Sequence, residues 1–546
     1  MPGPLTYWNT LKYLKPIQIY GRFWYQLHTP RVDTRTAPPV RQRTGTWVRP
    51  AQRDVSLLGP TVLRFLNETH DLQEYGWDSP DLNKLWRYNL HYFDDVNAER
   101  FQDRAAWHHA LLARWIEENP PGKGCGWDPY PTSLRIVNWI KYFLSGAGAT
   151  PMFLASLATQ TRWLAKRLEY HLLGNHLFAN AKALISSGVY FQGPEAETWL
   201  RTGLRILKRQ VPEQILPDGG HFERSIMYHA LAFEDFLDIY NLLNTFSDAL
   251  PSEWNDETTA WWERIVTMRR WLVALSHPDG EISFFNDAAM GIAPAPRELI
   301  AYADRLGWGP QPELTASVTH LAESGYIRLQ KGFAVLYLDT APVGPDYLPG
   351  HAHADTLSFE FSLQGKRIFV NSGTSEYGNG PERQRQRSTM AHNTVTINGE
   401  NSSEVWDGFR VARRAYPFDL RIEEADSTLK VQCAHDGYKR LTGRPVHRRE
   451  WRLNNSELTI CDTIEGDVQS AVARLHLHPA VRIYPGFSPQ EGRLKLENGL
   501  SISWRTRDAK TRIVPSTYHP EFGCSVSSFC IETEIVNKTC RMEFSW

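Results

Sequence analysis

The feature that most constrains this chain is a change of hydrophobic period about three-fifths of the way along it. From about residue 60 to about residue 310, apolar residues recur at helical spacing, as in A-A-W-H-H-A-L-L-A-R-W-I, S-L-R-I-V-N-W-I-K-Y-F-L and Y-H-A-L-A-F-E-D-F-L. A stripe at i, i+3, i+4 and i+7 is what a helix needs to bury one face. Beyond about residue 324 the pattern becomes short alternating runs, such as F-A-V-L-Y-L-D, L-S-F-E-F-S-L and I-S-I-S-W, the period of half-buried strands. One chain cannot satisfy both periods in one layer. The reading is therefore an N-terminal (α/α) toroid-like helical domain followed by a C-terminal antiparallel β-sandwich, with residues 1–59 as an arm, 60–315 helical and 316–546 the sandwich. Within the arm, residues 28–58, rich in Arg, Thr and Pro, read as an extended surface segment. Breaks such as P-P-G-K-G and L-P-D-G-G join the helices, and Q-G-K and N-N-S-E read as hairpin turns.

Charge narrows the partners. Sixty basic residues against sixty-one acidic ones give a net charge of −1, so no whole-chain field gathers nucleic acid. Any polyanion must be met by a local patch. Aromatic residues are 12% of the chain, with 20 Trp, more than core packing usually needs; such rings also cover the apolar faces of sugars. The six cysteines form no C-x-x-C pair, so reduced thiols are expected. No apolar run is long enough to span a bilayer, and the first residues lack the basic and apolar regions of a leader. As written the chain reads as cytoplasmic, or as secreted or periplasmic if a leader precedes this sequence.

Four stretches hold more His, Asn, Tyr and Arg than packing asks for. In H-L-L-G-N-H-L-F-A-N-A, Asn175 and His176 open a helical run, where amide donors and the positive dipole end suit a carboxylate; the alternative for Asn175 is a helix cap. In D-G-G-H-F-E-R-S-I-M-Y-H, Tyr228 follows a glycine turn with Glu223, Arg224 and His229 close by. A phenol is a poor base at its ordinary pKa, so catalysis by Tyr228 requires neighbours that favour the phenolate; otherwise it is a half-buried tyrosine. In L-P-G-H-A-H-A-D-T-L-S-F, His351 and His353 at period two would share one face of a strand entry. The fourth, I-F-V-N-S-G-T-S-E-Y followed by R-Q-R-Q-R-S-T-M-A-H-N-T-V, offers Asn371, His392 and three alternating arginines, Arg383, Arg385 and Arg387. If extended, these arginines form a basic row for carboxylate or sulfate; the alternative is a solvated loop.

These stretches, in this order across a helical and a β domain, resemble the heparinase II/III-type lyases, including heparan sulfate and alginate lyases. The motifs are N-H, S-x-x-Y-H, H-A-H-A-D and A-H-N-T-V, with G-W-D-P-Y-P-T-S-L-R-I-V-N-W near residue 130 and H-D-G-Y with H-R-R near residue 445; the likeness spans roughly residues 60 to 480. The resemblance implies β-elimination of a uronate polysaccharide, most readily a glycosaminoglycan such as heparan sulfate, hyaluronan or chondroitin, with alginate or a bacterial exopolysaccharide next. It assigns Asn175 to the uronate carboxylate, with His176 or His351 adding charge or a proton, and Tyr228, partnered by His351, to proton transfer. Trp127, Tyr130 and Arg135 are implied to line the cleft, with Glu223 and Arg387 beside the substrate. His353, Asn371 and His392 match a divalent metal site for zinc, manganese or calcium, but Asn371 stands where relatives usually carry Asp, which removes a negative charge from the ligand set. The rivals are a glycoside hydrolase, which needs two carboxylic acids such as Glu223, Asp287 or Glu195, and a non-catalytic accessory protein of exopolysaccharide biosynthesis.

Overall fold

The computed structural model describes residues 3–310, 314–425 and 427–546. Two helices, Pro4–Leu11 and Pro16–Leu27, open it. An irregular segment then lies along the helical domain through backbone bonds: Arg41 N donates to Tyr190 O at 2.8 Å and Gln192 N to Pro39 O at 2.9 Å. The expected arm is thus helical in its first half and extended only in its second.

The helical domain does not begin with a helix. A two-stranded hairpin, Val62–Phe65 with Glu68–Asp71, precedes it. The long helices follow: Lys84–Tyr92, Ala105–Glu118, Pro129–Leu144, Pro151–Ala165, Gly174–Tyr190, Pro194–Gln214, Ile226–Thr245, Asn255–Ala274 and Pro296–Arg305. Pro129, Pro151, Pro194 and Pro296 each occupy the first helical position, where a missing N–H costs nothing. Glycines set the closest helix pair. A Cβ on Gly188 would lie 2.5 Å from Leu200 N, and one on Gly203 would lie 2.7 Å from Ala181 O. No side chain fits there, so the Gly174–Tyr190 and Pro194–Gln214 helices touch backbone to backbone.

The strands of the β region begin at Val318 and, among the described residues, form antiparallel sheets of five, four and eight strands beside a two-stranded ribbon of Val405–Trp406 with Arg410–Val411. The five-stranded sheet runs in sequence order from Val318–Leu321 to Lys366–Phe369, and Gln364 and Gly365, both at positive φ, make its tight Q-G-K turn. In the eight-stranded sheet the strand Thr539–Ser545 pairs with Glu457–Glu465 on one side and Ser501–Arg507 on the other, so the latest strand in the sequence sits inside the sheet. An apolar core of Leu336, Phe361, Trp451, Ile460 and Phe544 joins the sandwich. The core of the helical domain extends to Tyr326, Tyr518 and Phe522 of the β region, which seals the two parts together. The architecture is an (α/α) toroid followed by an antiparallel sandwich.

Candidate active site

A cleft of about 570 Å³ opens where the helical domain meets the sandwich, lined by Tyr130, Asn175, Tyr228 and Tyr377 among others. Tyr228 is set by a helix start. Ser225 caps the Ile226–Thr245 helix by accepting from Tyr228 N at 3.2 Å, and its own hydroxyl donates to the backbone oxygen of Asp287. The backbone N–H of Asp287 in turn donates to His351 O at 2.9 Å. One residue, Asp287, therefore fixes the backbone beneath both Tyr228 and His351.

The consequence is direct contact between those two rings, stacked with centroids 3.8 Å apart and planes 17° apart. The Tyr228 hydroxyl meets the Tyr377 hydroxyl at 3.0 Å. His351 Nδ1 donates to Glu223 Oε2 in a short contact, and His351 Nε2 has no partner among the described residues. Burial works to raise the Glu223 pKa, but the adjoining His351 outweighs it and leaves the carboxyl below its usual range. An ionised Glu223 holds the Nδ1 proton, so Nε2 is the ring nitrogen left to face a ligand. Tyr228 moves the other way: burial, reinforced by Tyr377 and the Asp287 carboxylate, holds its pKa far above 10 and keeps the phenol protonated. His351 is stacked on this ring and Arg383 lies within electrostatic reach of it, yet burial dominates and the phenol stays protonated. In this arrangement the Tyr228 hydroxyl can give a proton and His351 Nε2 can take one.

Asn175 lies at the start of the Gly174–Tyr190 helix, after two residues of positive φ, Leu173 and Gly174. Gly174 is required there, since a Cβ would meet Leu348 Cδ2 at 2.4 Å and Glu223 Oε1 at 3.4 Å. Asn175, the next residue, lines the same cleft as Tyr228. The Asn175 carboxamide bonds to no other described residue. His176 Nδ1 contacts Glu169 Oε1 at 3.1 Å, and its ring lies 4.6 Å from that of Tyr130. Burial opposes its charge, yet the Glu169 carboxylate prevails and raises the His176 pKa.

Several expected positions fall elsewhere. Trp127 is buried against Trp115 and Trp163, its indole N–H given to Asn119 O at 3.3 Å. Arg135 is fully buried, bonded to Gln160 Oε1 at 2.9 Å and lying over the Trp115 ring at 3.9 Å. Neither reaches the cleft: both sit on the inner side of the helix layer, where an arginine is held by a ring and carbonyls. The arginine row does not exist either, because Pro381–Arg387 is a short helix. Arg383 grips both oxygens of Asp287, Arg385 pairs with Glu382, and Arg387 is buried, donating to Ala352 O at 3.0 and 3.2 Å and to Asp407 O at 2.8 Å. Arg387 is a strut for the His351 loop rather than a substrate contact. His351 and His353 do not share a face, since residues 340–358 are irregular and the strand begins only at Phe359.

His353 belongs to a second, buried cluster. Its Nε2 contacts Asp287 Oδ1 at 2.8 Å and its Nδ1 faces His392 Nε2 at 3.0 Å. Carboxylate and carbonyl partners fix the protons: His353 carries N–H toward Asp287, and His392 carries its own on Nδ1 toward Ser388 O at 2.8 Å. Two lone pairs then oppose each other, which only a shared proton or a cation relieves. Asn371 is committed nearby but apart, donating to Phe284 O at 2.8 Å and accepting from Asn393 N at 3.0 Å. Among the described residues no three His, Cys, Asp or Glu side chains are arranged to hold a metal.

Three residues of the site were not singled out for the roles they hold here. Tyr377 was quoted only as the end of the S-E-Y stretch, Asp287 was considered only as a hydrolase acid, and Phe409, whose ring lies 5.2 Å from that of Tyr377 and 6.2 Å from that of His351, gave no signal.

The chain resembles known proteins in sequence and in fold. Residues 84–302 match the family description Heparinase II/III N-terminus and residues 313–546 match Heparinase II/III-like, C-terminal. The chain is 26% identical over 377 residues to a heparin-sulfate lyase of Bacteroides stercoris, covering 63% of this chain and 53% of that one. It is 27% identical over 406 residues to a heparin-sulfate lyase of Bacteroides thetaiotaomicron, covering 66% and 56%. The chain thus spans about half the length of these relatives. In structure it resembles heparinase III, with a TM-score of 0.68 at 20% identity over 100% of this chain and 93% of the other. It also resembles a heparan sulfate lyase of Pedobacter heparinus, with a TM-score of 0.59 at 17% identity over 97% and 87%. With matches to both halves of the family pattern and the same two-part fold, the chain belongs to the heparinase II/III-like family.

Proposed function

We propose that this protein is a polysaccharide lyase that cleaves a uronate-containing glycosaminoglycan by β-elimination. The observation that carries the reading is the stack of a protonated Tyr228, which lines the open cleft, on a His351 whose Nδ1 is held by Glu223. β-Elimination needs a base for the C5 proton, an acid for the departing O4 and donors for the charge that spreads onto the carboxylate. His351 Nε2 takes the proton, the Glu223 carboxylate stabilises the resulting imidazolium, and the Tyr228 hydroxyl donates to O4. Asn175 binds the uronate carboxylate, and the neighbouring His176, whose protonated form Glu169 favours, adds to the pull on it. The proton gained by His351 equals the one given up by Tyr228, and both groups return to their resting states by exchange with water after product release, while Tyr377 positions the Tyr228 hydroxyl across their 3.0 Å contact. The names of the relatives support the same class of reaction.

The charge of the cleft supports a lightly sulfated substrate. Carboxylates outnumber cations among its lining residues, and three of the cations are already paired: Lys182 with Asp235 and Asp238 at 2.7 Å each, Lys141 with Asp238 at 2.9 Å, and Arg53 with Glu234 at 2.6 Å. A densely sulfated chain would meet more repulsion than pairing there. For the metal, the His353–His392 pair supplies two nitrogens, but the Asn371 amide is spent on backbone bonds, so the set does not form a three-ligand cage and no step above runs through a metal. Hydrolysis finds no support, because Glu223 is held by His351, Asp287 by Arg383, and Glu195 by Arg162 at 2.7 and 2.9 Å.

The test is to incubate the purified protein with heparan sulfate, heparin, hyaluronan, chondroitin and alginate and follow the ultraviolet absorbance of unsaturated uronate. Activity on a weakly sulfated glycosaminoglycan that falls about 10²–10⁴-fold in Tyr228→Phe is expected. Saturated products, or turnover untouched by that variant, would sink the reading.

A further inference from the structure

The helices Pro4–Leu11 and Pro16–Leu27 are amphipathic the wrong way round for a face that meets water. Their polar residues Asn9, Thr10 and Gln18 are buried against the protein, while Ile19, Tyr20, Phe23, Trp24 and Leu27 form one outward stripe at i, i+4 and i+8 spacing. Phe23 is 64% exposed, Trp24 67% and Leu27 85%; on the first helix Leu5 and Leu11 are exposed too, and Trp8 reaches 66%. Single exposed apolar residues need no explanation, but an unbroken apolar stripe along one helix, preceded in sequence by a helix that exposes Leu5, Trp8 and Leu11, does.

The patch is carried rigidly. Gln18 Nε2 donates to Tyr347 O at 3.1 Å, Trp406 Nε1 donates to Thr10 Oγ1 at 3.0 Å, Lys15 pairs with Glu213, and Arg167 and Arg414 lie over the rings of Tyr25 and Tyr13 at 3.6 and 3.8 Å. Helices fastened by their polar sides present their apolar sides by construction. Charge identifies what they meet. Residues 1–32 contain Lys12, Lys15, Arg22 and Arg31 and no Asp or Glu, in a chain whose total charge is −1. Lys12 and Arg22 are exposed and pair with no carboxylate among the described residues. The indole N–H groups of Trp8 and Trp24 likewise have no partner there, which suits rings lying at headgroup depth with an apolar body and a polar edge. No described helix is long and apolar enough to cross a membrane, so the contact is with a surface.

We infer that these two helices dock the protein in the plane of an anionic lipid bilayer, the aromatic stripe entering the interface and Lys12 and Arg22 resting on the headgroups. The inference is independent of the lyase reading, since no residue of the stripe belongs to the cleft. The test is flotation of the full chain with vesicles of phosphatidylcholine alone or mixed equally with phosphatidylglycerol, alongside light scattering without lipid. The protein should float with the mixed vesicles. A Trp8→Ser, Phe23→Ser, Trp24→Ser, Leu27→Ser variant with unchanged circular dichroism should lose at least about tenfold in bound fraction. A Lys12→Glu, Arg22→Glu variant should lose the preference for phosphatidylglycerol. No flotation with either vesicle overturns the inference, as does flotation that the serine variant retains or that ignores vesicle charge. A dimer that the serine variant dissolves, without flotation, assigns the patch to a second copy of the chain and also overturns it.

Discussion

His351 and His353 stand one residue apart and do opposite work. The first stacks on Tyr228, a residue that lines the cleft, and its Nε2 has no partner among the described residues, whereas the second is buried with both nitrogens faced by partners. Asp287 serves both, through its backbone N–H to His351 O and its carboxylate to His353. The difference teaches that a titratable ring acts on a substrate only where one nitrogen is left without a protein partner. The buried pair is what makes the exposed one rigid.

That contrast breaks most severely at the shared residue. Asp287→Asn leaves Arg383 buried against a neutral amide, and losing one member of a buried pair typically costs about 3–5 kcal/mol. The urea midpoint should fall and activity with it; a variant of full stability would show that the lower cluster is not a support. Glu223→Gln strikes the upper cluster alone. Turnover should drop about 10²-fold with a smaller fall in the midpoint than for Asp287→Asn, because His351 is partly exposed where Arg383 is not. The acid limb of the pH–rate profile should move, because the Nδ1 proton of His351 loses its carboxylate. An unmoved acid limb would remove His351 as the base.

The smallest effect is a pH dependence of stability on the dry side. Burial leaves His229 and His476 each at about 3, against 6.5 unfolded. The unfolded chain therefore takes up protons that the folded chain refuses. Stability should be level above pH 6.5 and decline as pH falls from 6.5 toward 4, which urea midpoints at pH 8, 6.5 and 5 would measure. A midpoint rising toward pH 5 would mean these rings are charged in the folded protein.

The two-part fold was legible because period 3.6 and period 2 are properties of long stretches. The site was legible in its residues and not in its pairings. Glu223 and His351 are 128 positions apart, and nothing local says which carboxylate will find which ring. Short segments misled most. Arginines at 383, 385 and 387 alternate as a strand would, yet Gly380 and Pro381 start a seven-residue helix that turns Arg383 and Arg387 inward. Trp127 and Arg135 carry residue types common in sugar clefts, and only tertiary packing decides that Arg135 spends its charge on the Trp115 face.

The position of the Thr539–Ser545 strand bears on how the molecule comes into being. Synthesis delivers the helices long before it delivers the piece that joins the two halves of the eight-stranded sheet. Until that strand arrives, Glu457–Glu465 and Ser501–Arg507 each present an open edge to the crowded cell, a template for pairing with the wrong chain. The slow, error-prone interval of this protein's life is therefore the closing of a gap far from its cleft, and lesions there should reduce yield before they touch chemistry.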